Sequence, residues 1–181
     1  YIRKAPNYEI QRNAYVIGEV NYPGTYAIRN SSEHISDLLE RTGGAKLTGY
    51  LPGALFKRKG ERIGIDIAQI MGNPSVEGNI TLEEGDTLIV PKRSEIVSIN
   101  GAVLNPSTIN FTNGYNFQAY LSQAGGYDER AQKGRAFITY ANGFTQRTRR
   151  FLFFKFYPKV EPGSNIYVPF KPTDDKRSDI T

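Results

Sequence analysis

The sequence contains one pattern twice. Residues 82–92 read LEEGDTLIVPK, and residues 160–170 read VEPGSNIYVPF, so that Gly163 follows Gly85 by 78 positions. Upstream, residues 16–28 match residues 99–111 at an offset of 83, and both LLERTGG and ALFKR recur at an offset of 82, as YLSQAGG and AFITY. Because the blocks keep their order and the offset changes only between them, the pattern indicates a tandem duplication with insertions in loops.

The duplication divides the chain of 181 residues into four parts. We predict a leader over residues 1–12, a first repeat over 13–93, a second repeat over 94–170 and a polar tail over 171–181. The first repeat has nine Lys/Arg and ten Asp/Glu, a net charge of −1, whereas the second has eight and four, a net charge of +4. An anionic partner is therefore expected at the second repeat.

Each repeat is predicted to begin with a β-hairpin. In the first, apolar residues alternate with polar ones on both sides of Pro23 and Gly24, which is typical of strands with one buried face. The Pro-Gly pair predicts a type II turn, because proline fixes φ and glycine permits a positive φ. In the second repeat Pro106 is followed by Ser107, which favours a type I or wider turn.

A helix is predicted next. Ser31 or Ser32 is a suitable N-cap, and Ile35, Leu38 and Leu39 form one apolar stripe. Glycine pairs at the C-terminal end, in the left-handed conformation, are expected to terminate the helix in both repeats. These pairs are Gly43 with Gly44 and Gly125 with Gly126.

Three strands are predicted to complete each repeat. Residues 54–58 and 62–67 flank a Lys-Gly pair, and residues 136–140 and 144–150 flank Asn142-Gly143, a strong hairpin signal. Gly85 and Gly163 turn the chain into a last strand, and Pro91 and Pro169 end it, because proline has no N–H for the ladder. The result is an α+β fold in which a small mixed sheet packs on one helix, twice.

Few residues of this chain suit catalysis or metal binding. The sequence has no cysteine and a single histidine, His34, which we expect to be solvated or locally bonded in the first helical turn. Glu83, Glu84 and Asp86 form the densest acidic group and resemble a carboxylate pair or a calcium site. They fall in a turn before an expected edge strand, so we interpret them as turn residues in solvent.

The segment over residues 145–159, TQRTRRFLFFKFYPK, has five cations, five aromatic residues and no acid. We single out Arg147, Arg149, Arg150 and Lys155 as a candidate partner or glycan surface. Strand alternation predicts Arg147 and Arg149 on one open face, and at least one of the phenylalanines exposed beside them. The alternatives are a plain strand edge above core aromatics, a surface near a membrane, and a nucleic-acid site.

The motifs GEVNYPGTYAI, ISDLLERTGG and LEEGDTLIVPK follow one another in the first repeat, and each has a counterpart in the second. Together they resemble a known family. They are similar to the soluble-ligand-binding β-grasp domains, which occur in tandem in outer-membrane polysaccharide export proteins of Gram-negative bacteria. The resemblance covers residues 14–92 and 97–170. The second copy departs from it at Ser107 and Ser164, where the pattern has glycine and an acid.

The resemblance implies two tandem β-grasp (ubiquitin-like) units and a function without catalysis. It implies a module at the periplasm or outer membrane that assists assembly or glycan passage in the export of capsular polysaccharide or exopolysaccharide. Expected partners are a polysaccharide and other subunits of the complex, including a homo-oligomeric ring, but no nucleic acid. We expect no cofactor, no metal and no catalytic residue. The alternative is a ligand-binding module, for a glycan or for nucleic acid, outside an export channel.

Overall fold

The computed structural model describes residues 11–152 and 154–172, apart from the side chains of Arg150, Phe151 and Phe154. Most of the leader and most of the tail therefore lie outside the described residues. The chain forms two compact units that divide between Arg93 and Ser94. Hydrogen bonds tie the residues next to this division to their own units, from the amide of Arg93 to the carbonyl of Thr48 and from the amide of Phe111 to the carbonyl of Glu95.

The first unit has five strands in the order β2-β1-β5-β3-β4, two short α-helices and a 3-10 turn at Leu51–Gly53. Its elements are β1 (Asn13–Gly18), β2 (Gly24–Ala27), α1 (Ile35–Arg41), β3 (Leu55–Arg58), β4 (Glu61–Ile63), α2 (Ile67–Gly72) and β5 (Thr87–Val90). The central pair β1–β5 is parallel and the other pairs are antiparallel.

The second unit repeats this sheet in the order β7-β6-β12-β8-β9 and adds a hairpin. Its elements are β6 (Ile96–Gly101), β7 (Ser107–Asn110), α3 (Phe117–Gln123), β8 (Phe137–Thr139), β9 (Thr145–Arg147), β10 (Arg149–Phe151), β11 (Phe154–Phe156) and β12 (Asn165–Val168). The pair β6–β12 is parallel, in the place of β1–β5. These two mixed sheets, each with a helix after its first hairpin, confirm the predicted pair of α+β, β-grasp-like units.

Each unit has its own hydrophobic core between sheet and helix. In the first unit, Leu38 and Leu39 of α1 pack with Val16, Leu88 and Val90 of the central strands, all at most 1% exposed. In the second unit, the residues that pack together are Phe117, Tyr120 and Leu121 of α3 with Val97, Ile99, Ile166 and Val168 of the central strands. The inward residues alternate with outward ones along these strands, as a sheet with one covered face requires.

A close backbone approach explains why the first strand of both units ends in glycine. At Gly18, φ is +96°, and a Cβ atom would lie 2.1 Å from the carbonyl oxygen of Val90 on the parallel strand. At Gly101, φ is +87°, and the distance to the carbonyl oxygen of Val168 would be 2.0 Å. Any larger residue would force the central parallel pair apart, so both positions require glycine.

Both glycine pairs end their helices in the predicted left-handed conformation. Gly43 and Gly44 have φ values of 75° and 78°, and Gly125 and Gly126 have 78° and 87°. The carbonyl of Gly44 then accepts a hydrogen bond of 3.0 Å from the amide of Asn21, so the helix end fixes the loop that follows β1.

The predicted turn of the first hairpin is wrong. Pro23 and Gly24 do not form a two-residue type II turn, because Gly24 already belongs to β2 and pairs with Val16. Val20 leaves the strand and forms an isolated bridge to Ala45, which widens the connection. The hairpin itself is confirmed, as is the wide turn of the second repeat, where Ser107 begins β7 after Pro106.

The predicted helix cap is also wrong. The helix begins at Ile35 with His34 as N-cap, and the carboxylate of Asp37 accepts a 2.8 Å hydrogen bond from the amide of His34. Ser31 and Ser32 precede the cap and are exposed. The His34 side chain is 40% exposed, with Nδ1 3.8 Å from Asp37 Oδ2, which agrees with the expectation of a solvated or locally bonded histidine.

Two predicted strands are shorter than expected. The strand over residues 62–67 ends at Ile63, and α2 follows it, with Asp66 as N-cap accepting from the amide of Gln69. The strand over residues 144–150 is divided at Thr148 into β9 and β10. These differences lie between the fourth strand and the last strand of each repeat, where the sequence offset changes from 82 to 78.

The last strands begin and end as predicted but lie at the centre of their sheets. Gly85 and Gly163, with φ values of 84° and 77°, precede β5 and β12, which stop before Pro91 and Pro169. The expectation that β5 is near an edge is wrong, since it pairs with β1 on one side and β3 on the other.

Candidate functional site

Arg147 lies on the last strand of the second sheet, and Arg149 lies just beyond it in β10. β9 is the last strand of that sheet, and Thr148 follows it, with its amide and its hydroxyl 3.0 Å and 3.1 Å from the carbonyl of Ala136. This contact continues the β8–β9 ladder by one residue, after which β10 pairs with β11 instead of β8. The two arginines therefore belong to different strands, contrary to the prediction of one continuous strand face, but both side chains are exposed.

The hairpin β10–β11 carries the remaining predicted cations. Its register pairs Arg149 with Phe156 and Arg150 with Lys155. Leu152 occupies the turn with φ of 53° and is 69% exposed. Phe156 is 59% exposed, which confirms that at least one phenylalanine of this segment faces solvent. Phe153 lies outside the described residues.

A surface depression of about 720 Å³ joins β9 to the base of this hairpin. We call it the basic depression; it is lined by Thr145, Gln146, Arg147, Thr148, Arg149, Phe156, Tyr157 and Pro158. Tyr157 stacks on Phe117 of α3 with ring centroids 4.9 Å apart, so the base of the hairpin is anchored to the core. Lys155 is exposed but does not line the depression.

The lining combines two guanidinium groups, two aromatic rings and no carboxylate among the residues described there. A guanidinium group binds a carboxylate or phosphate through two parallel hydrogen bonds, and aromatic rings offer flat apolar surface. The depression therefore has the chemistry to hold an anionic partner that also has apolar faces.

The acidic group at residues 83–86 is structural, and its interpretation as solvated turn residues is wrong for Asp86, which is fully buried. Arg58 donates to both Asp86 oxygens, from Nε to Oδ1 at 2.9 Å and from Nη2 to Oδ2 at 2.8 Å. Asp86 Oδ2 also accepts from the amide of Glu83 at 2.7 Å and closes the turn. The hydrogen bond to Asp86 is the main cause that raises the pKa of Arg58.

The second unit holds the corresponding turn with uncharged side chains. Tyr140 and Ser164 occupy the positions of Arg58 and Asp86 at the offsets of 82 and 78. Ser164 Oγ accepts a hydrogen bond from the amide of Glu161 at 3.1 Å. Tyr140 Oη donates to the carbonyl of Lys159 at 2.9 Å. In the first unit, Arg58 Nη2 likewise donates to the carbonyl of Thr81, at 2.7 Å. Burial raises the pKa of Tyr140 to about 12.

Sequence reasoning missed a pair of aromatic residues on the outer side of the second sheet. Tyr167 and Phe137 are cross-strand neighbours with ring centroids 5.3 Å apart, and both are partly exposed. A comparison of the two repeats could have revealed this aromatic pair. At the same offsets the first unit has Ile89 and Leu55, so aliphatic residues are replaced by aromatic ones on one face.

Comparisons with known proteins agree with the architecture. Two family models, both described as SLBB domain, match residues 12–90 and 96–147. The polysialic acid transport protein KpsD of Escherichia coli is 25% identical over 75 residues, which cover 41% of this chain and 13% of that protein. The EPS I polysaccharide export outer membrane protein EpsA of Ralstonia nicotianae is 32% identical over 122 residues, which cover 66% of this chain and 32% of that protein.

The chain belongs to the SLBB domain family and consists largely of two such domains in tandem. It spans a third or less of the length of either relative, and those relatives are polysaccharide transport and export proteins. This similarity supports a role in polysaccharide export. Within residues 11–152 and 154–172, no helix has the length and apolar character needed to cross a membrane.

Proposed function

We propose that this chain is a non-enzymatic module of a machine that exports capsular polysaccharide or exopolysaccharide. It works in the periplasm or at the outer membrane, and it associates there with other subunits, including copies of the protein in a ring. The observation that carries the proposal is the tandem pair of SLBB domains in a chain similar to two polysaccharide export proteins.

Within this function, the basic depression is the surface that meets the glycan or a neighbouring subunit. Its two arginines lie in the half of the chain with the positive charge, and neither has a carboxylate beside it in the described lining. An exposed cation of this kind contributes little to folding, since surface charge substitutions usually change stability by less than about 0.5 kcal/mol. Its role is therefore separable from stability.

The test uses the complete protein in its native host. Arg147→Glu with Arg149→Glu should lower surface polysaccharide severalfold at an unchanged level of the protein. Lys46→Glu with Lys92→Glu is the matched control, because both lysines are exposed in the first unit and the change in net charge is the same. The control should export normally.

Deletion of the gene separates the two parts of the proposal. Normal polysaccharide after deletion would refute the export role and favour ligand binding outside a channel. Loss after deletion, together with normal export in the arginine variant, would refute only the role of the basic depression.

A further inference from the structure

The two sheets present the same outer positions with different chemistry. The outer side of each sheet faces away from the helix, and its residues alternate with the buried ones along every central strand. In the second sheet, register aligns one row across four strands: Asn100 pairs with Tyr167, Tyr167 with Phe137, and Phe137 with Arg147. This row ends at the basic depression, which Arg147 also lines.

A second row next to it is made of hydroxyl and amide groups. Its members are, in strand order, Thr108, Ser98, Asn165, Thr139 and Thr145. Asn100 Nδ2 donates to Asn165 Oδ1 at 2.9 Å, and the Thr139 and Thr145 hydroxyls are 3.3 Å apart. No Asp or Glu occupies an outward position of these five strands, all of which the structure describes.

The first unit provides an internal comparison. Its row at the same register is Ile17, Ile89 and Leu55, which are aliphatic where the second unit has Asn100, Tyr167 and Phe137. The fold therefore does not require aromatic residues or amides at these positions. The two aromatic residues and the amide at these positions of the second unit therefore suggest binding of a partner on this face.

We infer that the outer face of the second sheet binds a segment of an acidic polysaccharide. Sugar rings lie with their C–H faces on Tyr167 and Phe137, and sugar hydroxyls exchange hydrogen bonds with the amide and hydroxyl row. Sugar carboxylates reach Arg147 at the end of the aromatic row and Arg149 beyond it. Four strands spaced by about 4.8 Å give this row a length of roughly 14 Å, enough for a short oligosaccharide.

This inference rests on the proposed function and adds the class of glycan and the face that holds it. The decisive variant, Phe137→Leu with Tyr167→Ile, gives the second unit the residues that the first unit has at these positions, in a sheet of the same topology. The probe is an oligogalacturonate, a chain of sugar acids, with a dextran oligosaccharide of equal length as the neutral reference. Binding is followed by amide chemical shifts of the full chain.

Oligogalacturonate should shift amides of β6, β8 and β12 but not those of β1, β3 and β5. The double variant should bind at least tenfold more weakly, and Arg147→Gln should weaken binding and its dependence on salt. Ile89→Tyr in the first unit is the matched control and should leave the affinity unchanged. Dextran should bind at least tenfold more weakly than oligogalacturonate.

Undiminished affinity in the double variant, shifts confined to the first unit, or the absence of any shift would overturn the inference. Equal affinity for dextran would overturn the acidic class. If the double variant unfolds, Arg147→Gln decides alone, because its exposed side chain leaves the fold intact. Any of these failures leaves the deletion experiment untouched, so the export role is judged separately.

Discussion

Replacing Arg58 with alanine would leave the carboxylate of Asp86 buried without its cation. Asp86 would lose two hydrogen bonds, at 2.9 Å and 2.8 Å, and keep the one from the amide of Glu83. Removal of one partner of a buried ion pair costs about 3–5 kcal/mol. Because the Arg58 side chain is 19% exposed, we expect the lower end, about 3 kcal/mol from the free energy of unfolding of the first unit.

The second unit provides the rescue. Arg58→Tyr with Asp86→Ser gives the first unit the uncharged residues that the second unit has at the same positions, Tyr140 and Ser164. We expect the double variant to lie within about 1 kcal/mol of the parent, because no buried charge is left unpaired. Asp86→Ser alone should cost about 1–2 kcal/mol, since the Arg58 guanidinium keeps the carboxylate of Glu83 and the carbonyl of Thr81 as acceptors.

The assay is amide hydrogen exchange of the full chain in urea, because it reports the two units separately. Protection in β3 and β5 should fall in the single variants and return in the double variant, while β8 and β12 should keep theirs throughout. A loss below about 0.5 kcal/mol in Arg58→Ala, or a double variant no more stable than Arg58→Ala, would refute the ion-pair account.

Two further predictions concern the helix ends and alkaline pH. Gly44→Val should destabilise the first unit by about 1–2 kcal/mol or more, because Gly44 has φ of 78°. Lys46→Val, at an exposed site, should not destabilise it. Equal melting temperatures of the two variants would refute the requirement for a left-handed residue at the helix end. Burial raises the pKa of both Tyr127 and Tyr140 to about 12 from 10.0, so the folded second unit holds their protons longer than the unfolded chain does. Its stability should be intact below pH 10 and decline as the pH rises towards 12, with a smaller decline in Tyr140→Phe; a pH titration of exchange protection in β8 and β12 that stays flat would contradict this.

Most of the fold could be predicted from the sequence repeat. Gly85, Gly163 and the glycine pairs after the helices are required by backbone conformation, so their pattern is visible in the sequence and was interpreted correctly. The short helix α2 was missed because it depends on a local hydrogen bond from the Gln69 amide to Asp66. The break at Thr148 was missed because it is a change of pairing partner, from β8 to β11. Periodicity over so few residues cannot distinguish them from strand.

The candidate site was predicted only in part. Charge clustering identified Arg147 and Arg149, which the structure brings together with Phe156. It could not show that Asp86 is buried, because its partner Arg58 is 28 residues away in sequence. Tyr167 and Phe137 were missed for a similar reason: their adjacency arises from strand register, not from sequence spacing.

The central claim is that this protein contacts the polysaccharide during export, and the most direct test is capture of the glycan on it. A photo-cross-linking phenylalanine at position 156, whose native side chain is 59% exposed beside the arginines, replaces one aromatic ring with another. Irradiation of cells that export polysaccharide should give an adduct of the full-length protein that an antibody to the polysaccharide detects, and cells that synthesise none should give no adduct. No such adduct, in cells that export normally with the labelled protein, would contradict contact between this surface and the exported polysaccharide.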